Sequence, residues 1–222
     1  MKQINSLTGM ADLIEDKSKP DELAIKVFHT EETLKKIFKS FAMSEIRTPA
    51  LESTNLFKRS VGDTSDIVNK ELYTFSDKND KSITLRPEGT ASVIRSIIEK
   101  KLDGETHKLW YMGPMWRYER PQKGRFRQFY QAGVEILGYS EGISEFEMIS
   151  LVCELNRKLL IKKPLIKINH LGDSETKKQF CDALVEYLIP MKSDLDEKDI
   201  QRLDKNPLRI LDSKNQDLEN LI

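Results

Sequence analysis

The residues best suited to chemistry lie in the run Arg127–Gln128–Phe129–Tyr130–Gln131–Ala132–Gly133–Val134–Glu135. Side chains alternate faces along a strand, so parity sorts this β-rich run into two sets. Gln128, Tyr130, Ala132, Val134 and Ile136 make an ordinary core face. Arg127, Phe129, Gln131, Gly133 and Glu135 place a cation, a ring, an amide and a carboxylate on the other, with a glycine that leaves room above the sheet. The same rule applied to KLWYMGPMWRYE groups Tyr111, Gly113, Met115, Arg117 and Glu119. Arginine suits a phosphate, an aromatic ring suits a flat heterocycle, and Gln with Glu suits a ligand that exchanges hydrogen bonds. A solvent-facing antiparallel sheet would show the same alternation, so parity alone leaves a bland reading open. Glu88 and Thr90 in RPEGT are a third piece. A carboxylate at a helix start is favoured by the helix dipole, yet it could also hold a ligand ammonium, with Thr90 as a second polar contact.

Several elements must position these groups. From Pro20, apolar residues at Leu23, Ala24, Val27, Phe28, Leu34, Ile37, Phe38 and Phe41 follow helical spacing and predict a long helix packed along its whole length. SEIRTP predicts a short strand ended by Pro49, and ESTNLFKRSVG a short helix running into a glycine loop. ELYTFSDKNDKSITLRPEG reads as a hairpin around a polar DKND turn. PEGTASVIRSIIEKKL reads as a helix with proline in its first turn. Residues 108–138 predict a large hairpin whose two strands flank the basic loop RPQKGR. Beyond it the pattern predicts a core helix over 143–161, a strand at PLIKINHLG, a helix over 174–189, and weaker helices over 196–203 and 217–222. No repeat or linker marks a domain boundary. Trp110, Trp116 and Tyr130 read as core packing.

Composition bounds the rest. The chain has 222 residues, 38% hydrophobic and 32% charged, enough to form a core without disulfide or metal staples. Lys plus Arg equals Asp plus Glu at 36 each, so no global field draws the chain to a polyanion and any nucleic-acid contact must be local. Cys153 and Cys181 lack metal-ligand spacing and read as packing residues in a reducing compartment. The absence of a signal-peptide-like run and of any long apolar stretch leads to an expectation of a cytoplasmic protein without a membrane partner.

VGDTSDIVNKELYTF, TLRPEGTA, WRYERPQKGRFRQFYQAGVEILG and NPLRILDSKN, in that order, resemble the histidine-specific branch of the class II aminoacyl-tRNA synthetases. The resemblance covers nearly the whole chain. It implies an α+β fold, an antiparallel sheet flanked by helices and incomplete at its C-terminal end. It also implies that residues 1–222 are the N-terminal part of a catalytic domain, the third class motif and the anticodon-binding domain being absent. The long helix and the strand after it resemble the first class motif, which implies a homodimer. The implied activity is ATP-dependent activation of histidine to histidyl-adenylate and transfer to tRNA(His), with Mg²⁺ on the phosphates and unassigned metal ligands. Arg117 matches the catalytic arginine at the ATP α-phosphate and the histidine carboxylate. Glu119, Arg125 and Phe129 match further ATP-binding positions, Phe129 being the ring that stacks on adenine. Glu88, Thr90, Gln131 and Glu135 match the histidine pocket, and Arg120 with Gln122 match the loop at the tRNA acceptor end. A chain without the third motif is expected to be inactive alone. The alternative is a noncatalytic histidine-sensing paralogue, similar to the regulatory subunit of ATP phosphoribosyltransferase.

Overall fold

A computed structural model describes residues 4–213 and 218, apart from 17, 20, 63, 64, 66, 121, 141, 162, 163 and 171. The chain divides into two compact units, Met1–Pro164 and Leu165–Ile222, although no linker composition announces the division.

In the first unit, helix α1 (Glu22–Ser40) begins where the Asp21 carboxylate accepts from the Leu23 and Ala24 backbone N–H groups at 2.9 and 3.3 Å. Pro20, expected at the helix start, lies outside the described residues. Strand β5 (His107–Trp116) pairs antiparallel with β6 (Gln128–Leu137), and the two-residue strand β1 (Ser44–Glu45) lies parallel on the far side of β5. Trp110, Met112, Val134 and Ile136 occupy the expected core face of this hairpin. They pack with Leu34, Ile37 and Phe38 of α1 and with Leu151 and Leu155 of helix α4 (Ile143–Lys158). The Phe38 and Trp110 rings stack at 5.0 Å. Burial thins toward the start of α1, where Leu23 and Ile25 are exposed, so the helix is not covered along its whole length.

A second sheet orders β2 (Leu51–Ser53), β4 (Ser82–Leu85) and β3 (Thr74–Ser76), all antiparallel. Its DKND turn is tied by the Asp77 carboxylate, which accepts from the Asn79 and Lys81 backbone N–H groups. Between β2 and β3 stand helix α2 (Thr54–Val61), followed by Gly62 at φ +91°, and a π-helical turn over Ile67–Glu71. Helix α3 (Thr90–Glu99) packs Val93 on Tyr111 and Met115, on the hairpin face opposite α1 and α4. Pro87 precedes this helix instead of entering its first turn, because the Glu88 carboxylate takes the first backbone donors.

In the second unit, helix α5 (Ser174–Leu188) is capped by Asp173, and helix α6 (Glu197–Lys205) by Asp196. Short 3₁₀ helices follow at Ile189–Asp194 and Pro207–Asp212. Leu184, Leu188, Leu195, Leu203, Ile210 and Leu218 form its core.

Three expectations need correction. PLIKINHLG is not a strand: no described strand pairs with 164–170, and extended backbone without a partner cannot form a ladder. Tyr130 is 44% exposed and is not core, and Ala132 on the same face is exposed as well, the apolar contact with α1 and α4 taking in Val134 and Ile136 instead. The strand at SEIRTP shortens to two residues. Apart from Leu218, the helix expected over 217–222 lies outside the described residues.

Because the Phe38–Trp110 stack joins helix to hairpin, Phe38→Ala should destabilise the chain by about 3–5 kcal/mol. Urea denaturation checks it, and an unchanged midpoint would show that the stack contributes nothing.

Candidate ligand-binding site

The β5–β6 register sets Leu109 opposite Glu135, Tyr111 opposite Gly133, Gly113 opposite Gln131 and Met115 opposite Phe129. Residues directly opposite share a face, so the second parity set is assembled as the sequence implies. With the other face packed under α1 and α4, this one carries the polar groups.

At one end, the start of α3 meets β6. The Thr90 hydroxyl donates to Glu135 Oε1 at 2.7 Å. Glu88 accepts from the Thr90 backbone N–H at 2.6 Å and from that of Ala91 at 3.1 Å, so at this helix start it takes up backbone donors directly, where the sequence offered only a favourable helix dipole. The buried Tyr111 ring lies beneath both groups. A Cβ built on Gly89 would fall 2.1 Å from it, and one on Gly133 2.2 Å, so neither position admits a side chain. Burial pushes the Glu135 carboxyl above its ordinary value; the Thr90 hydrogen bond draws it back, and the nearby Glu88 charge raises it further. Burial likewise raises the Tyr111 hydroxyl, which stays neutral.

At the other end, Arg117 Nε donates to the Pro87 carbonyl at 2.9 Å, and its guanidinium carbon lies 5.1 Å from the centre of the Phe129 ring. This contact leaves the two Nη groups of Arg117 without a hydrogen bond to any described residue. Farther out, Arg125 Nη1 donates to Glu119 Oε2 at 3.0 Å, and the Arg125 backbone N–H donates to the Gln122 carbonyl at 2.9 Å, closing the loop. Arg120 and Gln122 are exposed on it. Between the two ends, Gln131 carries a buried Oε1 that has no hydrogen-bond partner among the described residues.

The structure thus joins Glu88, Thr90 and Glu135 in one hydrogen-bonded group and Arg117 with Phe129 in another, on a single sheet face. Arg127 shares that face by parity but is used by the scaffold. Its guanidinium carbon lies 4.0 Å from the centre of the Tyr118 ring, and its backbone N–H donates to the Gly9 carbonyl at 2.8 Å. Sequence reasoning gave no task to two neighbours of the site. Parity set Tyr111 on this face without a role, and Arg86 was passed over. Arg86 is buried, donates from Nη1 to the Thr48 carbonyl at 2.8 Å and from Nε to that of Pro114 at 3.2 Å, and brings Nη2 to where a Cβ on Gly113 would stand, 2.9 Å away. The glycines at 89, 113 and 133 were the only sequence signal of both close approaches.

A cleft of about 800 Å³ lies beside this site, lined by Leu56, Ile67, Ala91, Ile94 and Ile98. It shares Glu88 and Thr90 with the site but none of the residues on β5 or β6.

The antiparallel sheet flanked by helices is a class II aminoacyl-tRNA synthetase-like fold, as its likeness to solved structures shows. Histidyl-tRNA synthetase is the description of the family model that matches residues 14–210, and the chain belongs to that family. It is 46% identical over its full length to a histidine–tRNA ligase of Francisella philomiragia, of which it covers 52%. A chloroplastic histidine–tRNA ligase of Gracilaria tenuistipitata is 53% identical over 78% of the chain, which covers 41% of that protein. Among solved structures, apo histidyl-tRNA synthetase of Staphylococcus aureus aligns with a TM-score of 0.73 at 34% identity, over 99% of this chain and 52% of its own. The chain spans about half the length of these relatives.

The raised Glu135 pKa has a consequence for stability. A carboxyl whose folded pKa lies above its unfolded value contributes most below the unfolded pKa, and that contribution is lost as pH rises through the folded one. Glu135→Gln should therefore raise the urea midpoint at pH 7 and leave it nearly unchanged at pH 4. The gain is modest, since the group is only half-buried and solvent screens it. A lower midpoint at pH 7 would show that the carboxylate stabilises the fold.

Proposed function

We propose that this chain forms the substrate-activating part of a histidine–tRNA ligase, which uses ATP to convert histidine to histidyl-adenylate and passes the histidyl group to tRNA(His). The observation that carries the reading is the pairing of Thr90 with Glu135 and of Arg117 with Phe129 on the same face of one hairpin. The first pair suits the ammonium and imidazole of histidine, together with Glu88 and the unpartnered Gln131 oxygen. The second suits the adenine and α-phosphate of ATP.

In the proposed reaction a histidine carboxylate oxygen attacks the α-phosphorus, and the bond to the pyrophosphate oxygen breaks. Negative charge grows on the α-phosphate oxygens, where the Arg117 Nη donors stabilise it more in the transition state than in the ground state. Positioning does most of the remaining work, so no protein nucleophile is called for. Glu119 and Arg125 receive the adenine amino group and the γ-phosphate, while Arg120 and Gln122 face the acceptor end of the tRNA. Among the described residues no group of three or more His, Cys, Asp or Glu could hold a metal ion. In this reading Mg²⁺ enters with the nucleotide and would neutralise charge on its phosphates. A site that hydrogen-bonds the imidazole can reject an isostere lacking its N–H by a factor of roughly 10⁴ to 10⁵. A histidine-sensing paralogue would have no use for the Arg117–Phe129 and Glu119–Arg125 pairs.

No helix among the described residues is long and apolar enough to cross a membrane. We place the protein in the cytoplasm, and we assign the exposed Leu23 and Ile25 of α1 to a homodimer contact that includes the strand after that helix.

Isothermal titration with histidine and with ATP separately tests the reading. Phe129→Ala should weaken ATP binding by about 1–3 kcal/mol and leave histidine binding intact. Glu135→Gln should do the reverse. Loss of both ligands in either variant, or ATP binding untouched by Phe129→Ala, would remove that residue from its assigned place.

A further inference from the structure

Arg86 is the buried cation beside the site for which the proposed reaction assigns no task. The carboxylate whose charge acts on it, Glu52, is held by Arg95 at 2.8 Å. Burial pulls the Arg86 guanidinium below its ordinary pKa, and the Glu52 charge offsets this only in part. An apolar side chain would fill the same space without desolvating a charge, so packing does not account for a guanidinium here.

Its hydrogen bonds do account for it. Strand β1 covers β5 only at Leu109 and Trp110, and beyond them no described strand lies on that edge of β5. Arg86, the residue after β4, stands there instead. Its backbone N–H donates to the Ala50 carbonyl at 3.0 Å, just before β2, and its own carbonyl accepts from the Trp116 N–H at 3.1 Å, at the end of β5. The side chain repeats the link. Nη1 donates to the Thr48 carbonyl at 2.8 Å and to Thr48 Oγ1 at 3.1 Å, while Nε donates to the Pro114 carbonyl at 3.2 Å. Nη2 lies over Gly113, whose Cβ would stand 2.9 Å from it, so β5 gives up a side chain where the guanidinium comes down on the strand.

The next two residues serve the site. The Pro87 carbonyl receives Arg117 Nε at 2.9 Å, and the Glu88 carboxylate takes the Thr90 and Ala91 N–H groups. From Thr90, the hydroxyl reaches Glu135 at 2.7 Å. Both ends of the site therefore hang from the tripeptide Arg86–Pro87–Glu88, and Arg86 is the member fixed to β5.

We infer that Arg86 is a positioning residue for both ends of the site: its guanidinium and its carbonyl clamp residues 86–88 to β5, which sets the Arg117–Phe129 pair and the Thr90–Glu135 pair at a fixed separation. The effect of the clamp on ligands rests on the histidine and ATP reading of the site; the clamp itself does not.

The test uses Arg86→Lys in the 222-residue chain. Lysine keeps the charge but cannot reach Thr48 and Pro114 together, since an ammonium is a point charge without a planar fork. The first readout needs no ligand: exchange of the Arg117 Nε–H proton followed by NMR. With Pro87 no longer clamped, that proton should exchange about tenfold faster, as the loss of one hydrogen bond implies. The second is calorimetric, on chain that circular dichroism shows to be folded. Histidine and ATP should each bind about tenfold more weakly. A merely structural role would lower the urea midpoint and leave the exchange and both affinities as in the wild type. In an Arg117→Gln background, Arg86→Lys should cost ATP binding nothing further, because it acts on that ligand through Arg117. Thr48→Val removes one acceptor of Nη1 and keeps the arginine. It should move both readouts the same way by a smaller factor, and it decides the matter if Arg86→Lys does not fold. Unchanged Nε–H exchange, wild-type affinity for either ligand, or ATP losses that add in the double variant would each overturn the inference. Faster exchange in a chain whose wild type binds neither ligand would leave the clamp standing while overturning the histidine and ATP reading.

Discussion

The site depends on one constraint, the alternation of side chains along two strands in fixed antiparallel register. Trp110, Met112, Val134 and Ile136 anchor one face of the β5–β6 hairpin to α1 and α4 through a continuous apolar contact. A slip of one residue in either strand would expose that set and bury Gln131 and Glu135, so the apolar contact fixes the register and the register fixes the site. The hydrophobic core and the polar face are therefore two sides of the same decision. The stack of Phe38 on Trp110 is linked to the placement of Glu135 even though the two lie on opposite faces of the sheet.

Within the polar face, charge is segregated. Glu88 and Glu135 sit at the end where α3 begins, and Arg117 sits toward the mouth with its Nε tied to Pro87. Pro87 and Glu88 are neighbours in the chain, so the short segment before α3 fixes both ends, giving a backbone carbonyl to the arginine and a carboxylate to the helix start. An amino acid lying between the two ends would find acceptors for its cationic and N–H groups on one side and donors for its carboxylate on the other. The two ends belong to separate hydrogen-bond groups.

Much of the site carries a cost in the isolated chain. Glu135 is partly desolvated beside a second carboxylate, and Gln131 holds a buried oxygen without a donor among the described residues. Glycines at 89 and 133 give up side-chain packing to admit the Tyr111 ring. Such features reduce stability and pre-organise a polar pocket, and their concentration on one face separates that face from the well-satisfied core behind it.

Local patterns were legible in the amino-acid order because they depend on neighbours in the chain. The long helix, the two hairpins, the α3 helix and the sorting of β6 into two faces follow from periods of about 3.6 and 2 residues, which every core contact then reinforces. What the tertiary structure alone decided are relations between segments far apart in sequence. Parity could group Arg127 with Phe129 and Glu135, but only the approach of Gly9 and Tyr118 assigns Arg127 to the scaffold. That the Glu88 carboxylate accepts from the Thr90 and Ala91 amides is likewise visible only in the fold. The run PLIKINHLG has the composition of a strand, yet pairing is a property of two segments and no described strand lies beside it. Parity set Tyr111 on the polar face, but only the fold closes Gly89 and Gly133 on its ring. Periodicity is a one-dimensional signal, whereas a close approach between distant glycines and a ring exists only once the chain has folded.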